Sequence, residues 1–177
     1  MQNPFKRTYS KTEEELFEFL SYNRLFHKLS KKEMLLFFPF LHLRMYKQDE
    51  VVFFRKDPSQ AIYLIREGEV TLELDIANHF ENITKIQKNA SFGHNALLSK
   101  TKRTYNAIVS SPFCQLYVIP QVNISNIFEH KPIIKAKMLE ALSELFNENF
   151  NALFNTYRVK QGFSDLGDLF KDIAYGL

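Results

Sequence analysis

Phe92-Gly93-His94-Asn95-Ala96-Leu97-Leu98, with Lys102-Arg103-Thr104 close behind, decides how this sequence is read. The glycine lets the backbone come close to a ligand, and a short apolar turn follows it. Beyond the turn stands an arginine with a hydroxyl residue beside it. If residues 95–98 open a single helical turn, their unpaired N–H groups point outward at the positive end of the helix dipole, which suits an anion. Arg103 adds a charged, two-pronged donor matched to phosphate oxygens. The spacing therefore predicts a phosphate cradle built from Phe92, Gly93, His94, Asn95, Ala96, Leu97, Arg103 and Thr104. The competing reading of Arg103 is an internal ion pair.

Around this stretch, short apolar runs rich in β-branched and aromatic residues recur at residues 51–54, 61–65, 70–76, 82–86, 107–109 and 115–119. Val70-Thr71-Leu72-Glu73-Leu74-Asp75-Ile76 alternates strictly, as a strand with one wet face does. Turn signals separate the runs: Lys56-Asp57-Pro58-Ser59, Arg66-Glu67-Gly68-Glu69, Ala77-Asn78-His79 and Ser110-Ser111-Pro112. Evenly spaced short strands predict a sandwich or barrel rather than βαβ units.

Further out, both ends read as helix. Ser10-Lys11-Thr12-Glu13 and Ser30-Lys31-Lys32-Glu33 are capping-box patterns, each followed by apolar residues, and Pro39 interrupts the second helix. Pro132 suits a first helical turn. Ile134, Met138, Leu142, Leu145, Phe146, Phe150, Leu153, Phe154 and Tyr157 then recur at helical spacing. That stripe is wider than one small barrel is expected to cover. Gly162 ends it, and Phe163, Leu166, Leu169, Phe170 and Ile173 mark a last short amphipathic helix. The expected organisation is a helical segment over 1–44, a β-roll carrying the cradle over 45–130, and C-terminal helices over 131–177.

Composition narrows the function. A chain of 177 residues with 45% hydrophobic content and 18 phenylalanines can bury roughly two-thirds of its unfolded surface in one domain. The net charge of +3 is spread without a dense basic run, which argues against a nucleic-acid or membrane-surface arm. The single cysteine, Cys114, excludes an internal disulfide and reads as a small buried residue. No apolar run reaches membrane-spanning length and the N-terminus lacks a signal core, so the chain is expected in the cytoplasm. His27, His42, His79, His94 and His130 show no paired spacing, and a metal is not expected. Nucleophile elbow, Walker loop, dinucleotide fingerprint and zinc-protease helix are all missing, so catalysis is not expected.

Together these stretches resemble the cyclic-nucleotide-binding domain of the catabolite activator, the cyclic-AMP kinase regulatory subunit and the cyclic-nucleotide-gated channels. The resemblance spans about residues 25–150. It rests on Tyr46-Lys47-Gln48-Asp49-Glu50-Val51-Val52-Phe53 and on Ala61-Ile62-Tyr63-Leu64-Ile65-Arg66-Glu67-Gly68-Glu69-Val70. It rests also on the cassette, where Phe92, Gly93, Ala96, Leu97 and Arg103 stand in register with the family pattern. Cys114-Gln115-Leu116-Tyr117-Val118-Ile119 looks like the closing strand. The resemblance implies an α+β fold: an eight-stranded roll (a jelly roll or double-stranded β-helix) with N-terminal helices and a long C-terminal helix. It implies a regulatory module with no covalent cofactor, taking cyclic AMP, cyclic GMP or a related small phosphate on the cassette.

The departures from the family pattern are specific. His94 replaces the glutamate that accepts the ribose hydroxyl, so that contact is weakened or made dependent on pH. Tyr105 stands where a small residue follows Arg-Thr and is expected to crowd or partly fill the pocket. Asp49, Asp57 and Asn89 replace turn glycines. The family's DNA-binding members carry a winged helix-turn-helix after the long helix. Here the acidic-apolar stretch with Asp165, Asp168 and Asp172 offers no basic recognition helix, so DNA is not an expected partner. Two readings stand: a ligand-binding sensor centred on Arg103, and a ligand-free scaffold that dimerises or docks through the long helix.

Overall fold

The computed structural model describes residues 8–76 and 79–160, with side chains as far as residue 155. The expected helix over 163–173, the Gly162 stop of the long helix before it and residues 77–78 of the expected turn lie outside the described residues, as does the side chain of Tyr157. The chain divides into two compact units, residues 1–142 and 143–177.

The first unit begins with α1 (Lys11–Tyr22). The Ser10 hydroxyl accepts from the Glu13 N–H at 3.2 Å, and the Glu13 carboxylate accepts from the Ser10 N–H at 2.8 Å. Both halves of the expected capping box therefore form. Ser30 and Glu33 repeat it at α2 (Lys31–Met34). Pro39 then falls in a 3₁₀ turn (Phe38–Phe40), because a ring that fixes φ and removes a donor suits one tight turn better than a continued helix.

Eight strands follow: β1 (His42–Lys47), β2 (Val51–Phe53), β3 (Ala61–Glu67), β4 (Glu69–Ile76), β5 (His79–Gln87), β6 (Ser91–Phe92), β7 (Asn106–Val109) and β8 (Phe113–Pro120). They form two antiparallel sheets, in the orders β1-β8-β3-β6 and β2-β7-β4-β5. The core between them takes Ile65, Phe92, Cys114 and Leu116 from the first sheet and Phe53, Val70, Leu72, Ala107 and Val109 from the second. This is the expected roll. Burial pushes the Cys114 thiol up to about 11, as befits an inert packing residue.

Three local expectations need correction. The first strand begins at His42, ahead of the expected boundary at 44, since Leu43 to Lys47 find partners in β8. In β4 the alternation does not translate into one wet face. Thr71 is buried between its apolar neighbours and Ile76 is exposed, because the register shifts between Leu72 and Glu73 and the strand outruns the sheet that covers it. A helix that the sequence did not announce, α3 (Gln121–His130), follows β8 directly. It lacks a side-chain cap, and Pro120 merely sets its entry; what holds it is burial of Ile124, Ile127 and Phe128.

The last helix, α4 (Pro132–Lys160), starts at the expected proline. Its first part belongs to the first unit: Ile134, Met138, Ala141 and Leu142 are buried. There Lys137 donates to both Glu33 oxygens at 2.8 Å, and Lys28 pairs with Glu140 at 2.7 Å. In the second unit Phe146, Phe150 and Leu153 are exposed, whereas Leu145 and Phe154 are half-buried. Phe150 and Phe154 meet edge-on at 4.5 Å.

Candidate functional site

The site sits where β6 leaves the first sheet and turns. Phe92 is buried and stacks on Tyr63 of β3, its register partner, with centroids 5.1 Å apart and planes 16° from parallel. Gly93 then adopts the left-handed conformation, φ 74° and ψ 28°, and opens a 3₁₀ turn (His94–Leu97). A glycine is required on two counts. The conformation is costly for residues with a Cβ, and a Cβ here would lie 2.5 Å from Arg103 Nη1. Ala96 and Leu97 are buried beneath the turn. The Asn95 carbonyl accepts from the Thr101 hydroxyl at 2.6 Å, closing the loop that leads back to Arg103.

Arg103 is buried at 4% exposure. Its root is held by backbone bonds: its N–H donates to Asp57 O and its carbonyl accepts from the Lys56 N–H, both at 2.9 Å. Its tip is held twice, Nη1 donating to Gly93 O at 3.0 Å and Nη2 to Ala61 O at 2.8 Å. The guanidinium carbon lies 4.1 Å from the Phe53 ring centroid and 5.5 Å from that of Tyr63, a cation–π contact worth up to about 2 kcal/mol away from water. Nε has no hydrogen-bond partner although it is buried. The internal ion pair weighed from sequence does not form: burial presses the guanidinium below its ordinary value, and Tyr63, Tyr105 and, least of all, Asp57 act against that. An arginine nevertheless keeps its charge.

Tyr105 completes the arrangement. Its hydroxyl accepts the Gly93 N–H at 3.0 Å, and its ring lies 5.8 Å from Phe53. The Phe53 ring, which lies over Arg103, also meets Tyr63, Phe92 and Tyr105, so four aromatic rings form one cluster beside the arginine. His94 turns to a different partner, its Nε2 lying 3.0 Å from the Ser91 hydroxyl. Ser91 Oγ also donates to Asn23 Oδ1 at 3.3 Å, and Asn23, fully buried, accepts from the Leu25 N–H and donates to Asn89 O, both at 3.1 Å. This polar chain ties the segment after α1 to the turn. Burial lowers the His94 imidazole to about 4.

Of the residues expected at the site, Phe92, Gly93, Ala96, Leu97 and Arg103 come together, with His94 beside them facing Ser91. Thr104 is exposed, apart from this cluster. Phe53, Ala61, Ser91 and Asn23 were not anticipated as site residues. Phe53 was visible only as one apolar residue in a strand, and Ala61 acts through a carbonyl that no side chain advertises. The turn substitutions also sort themselves out. Asp49 and Asn89 have positive φ, 66° and 70°, but at the second turn Lys56 takes that conformation, φ 72°. Asp57 instead accepts the Phe54 N–H on its carboxylate at 2.9 Å. Among the described residues no group of three or more His, Cys, Asp or Glu is placed to hold a metal, and no helix is long and apolar enough to cross a membrane.

Comparison with known proteins agrees with this geometry. The sequence profile described as the cyclic nucleotide-binding domain matches residues 43–131. The global nitrogen regulator of Synechococcus elongatus is 26% identical over 106 residues, which cover 58% of this chain and 47% of that protein. The chain therefore spans about half the length of that curated relative. A cyclic nucleotide-binding domain from Methylobacillus flagellatus superposes with a TM-score of 0.72 at 21% identity, covering 88% of this chain and 87% of that one. The Thermus thermophilus catabolite activator protein gives 0.65 at 21% identity, over 76% and 63%. The regulatory domain of Toxoplasma gondii PKA, solved with cAMP, gives 0.62 at 18% identity, over 68% and 46%. With half its length inside the profile and the turn, glycine and arginine in register, this chain belongs to the cyclic nucleotide-binding domain family.

Proposed function

We propose that this chain is a non-catalytic regulatory module that seats the phosphate of a cyclic nucleotide, or a related small phosphate, on Arg103 and the turn over residues 92–97. The observation that carries this reading is the state of Arg103. A buried guanidinium without an ion-paired carboxylate, and with its buried Nε lacking a partner, is costly unless an anion completes it. Phosphate is the anion whose geometry its fork matches. Gly93 belongs to the same reading, because its missing side chain leaves room for both the arginine and an approaching ligand. Thr104 enters this reading only if its exposed loop folds inward on binding. The module acts on a partner to the extent that the ligand prefers one of two arrangements of the surrounding helices.

Isothermal titration with cyclic AMP and cyclic GMP tests it. Saturable binding is expected in the wild type and its loss in Arg103→Ala, with the far-ultraviolet spectrum unchanged. An Arg103→Ala protein that binds as before sinks the reading.

A second reading is favoured by a different observation. Each Nη group already donates once within the fold, the Gly93 N–H is occupied from within, and Phe146 and Leu153 leave apolar surface exposed. On this reading the roll is a ligand-free scaffold whose partner is a second copy of the chain, met through the exposed part of α4. Absence of heat and of thermal stabilisation with either nucleotide favours it.

A further inference from the structure

The Gly93 N–H is the first backbone donor of the turn, three bonds along the chain from the carbonyl that holds Arg103 Nη1. It already has an acceptor, the Tyr105 hydroxyl at 3.0 Å. The same tyrosine ring faces Phe53, which in turn covers the guanidinium at 4.1 Å. Tyr105, Phe53 and Arg103 are therefore one packed series, and the polar end of that series occupies the N–H that opens the turn beside Arg103. From this geometry we propose that Tyr105 is an internal occupant of the cassette, and that a phosphate-bearing ligand binds only by displacing its hydroxyl from Gly93.

The inference rests on the anion reading of Arg103 given above. Its chemistry is a competition between two acceptors for one N–H. A phenol oxygen is a neutral acceptor, whereas a phosphate oxygen accepts a charge-assisted and stronger bond. The tyrosine therefore sets a threshold instead of an absolute block. Displacement also requires the ring to leave Phe53, so entry of the ligand and repacking of the aromatic series are one event. Tyr105 thus tunes affinity, while Arg103 supplies the attraction.

The test is titration of the purified full chain with cyclic AMP, comparing wild type, Tyr105→Phe, Arg103→Ala and the double variant. Tyr105→Phe keeps the ring and removes the competing acceptor, so it is expected to bind about tenfold more tightly, equivalent to about 1.4 kcal/mol. The double variant is expected not to bind, and the melting temperature of Tyr105→Phe serves as the check on folding. If wild type and Tyr105→Phe bind equally, the proposal is overturned and the anion reading stands. Weaker binding by Tyr105→Phe overturns it too, because the hydroxyl is then a ligand contact. If no protein binds, both this proposal and the anion reading fall.

Discussion

His94 shows what a single half-buried side chain does to the behaviour of the domain. In the unfolded chain its imidazole titrates near 6.5, and in the fold burial lowers it to about 4. Above pH 6.5 both states are neutral and the fold keeps its full stability. As the pH falls through 6.5, the unfolded chain takes up a proton that the folded one refuses, and stability is lost progressively toward pH 4. Between pH 7 and pH 5 the loss is about 2 kcal/mol. Urea midpoints measured across that range should show it, and His94→Gln should remove most of the slope; an unchanged slope would place the acid sensitivity elsewhere. Gly93→Ala is expected to be severe for two reasons, a positive φ and a 2.5 Å approach to Arg103. Arg103 must then leave its place, so the variant should lose both its thermal stability and any nucleotide binding. The sequence made Gly93 and Arg103 legible because each is restricted by its own chemistry. It left the Ala61 carbonyl and the Phe53 ring unread, since a carbonyl belongs to every residue and a phenylalanine in a strand is ordinary core.

Among the elements, those with a local signal were predictable and those held by distant contacts were not. The two capping boxes fix the starts of α1 and α2 through bonds within four residues. Ser10→Ala and Ser30→Ala should each cost about 1 kcal/mol, read by chemical denaturation. α3 escaped because its polar start has no cap and its stability comes from Ile124, Ile127 and Phe128 packing inward. The shift in β4 escaped likewise, since a bulge is set by the neighbouring strands. Asn23 ends α1 as its C-terminal cap and also bonds across to Asn89 and Ser91. Asn23→Ala should therefore cost about 2 kcal/mol or more, because it leaves buried groups unpaired. A change below about 0.5 kcal/mol in the same denaturation experiment would show that the bridge contributes little.

For the whole molecule, the apolar stripe of α4 divides by burial. Leu142 belongs to the core of the first unit at 3% exposure, whereas Phe146, Phe150 and Leu153 lie open. The helical spacing alone made all of them look equivalent, because periodicity records which side is apolar and not what covers it. If a second copy covers the open part, Phe146→Asp combined with Leu153→Asp should turn a dimer into a monomer in sedimentation equilibrium, with the first unit still folded. A wild type that sediments as a monomer at every concentration would remove that interface. Leu142→Asp is no test of association, since it buries a charge in the core.

The chain of bonds from Asn23 through Ser91 to His94 has a consequence for how the protein breathes. The Leu25 amide is protected by Asn23, and the Gly93 amide by Tyr105, yet one polar link joins the two places. Opening at Asn23 breaks its bond to Ser91, the residue that also holds His94 next to Gly93. In native-state hydrogen exchange the amides of Leu25 and Gly93 should therefore exchange with the same opening free energy and the same dependence on denaturant, as members of one cooperative unit. A much earlier release of Leu25 would mean that the N-terminal segment peels away from the turn on its own.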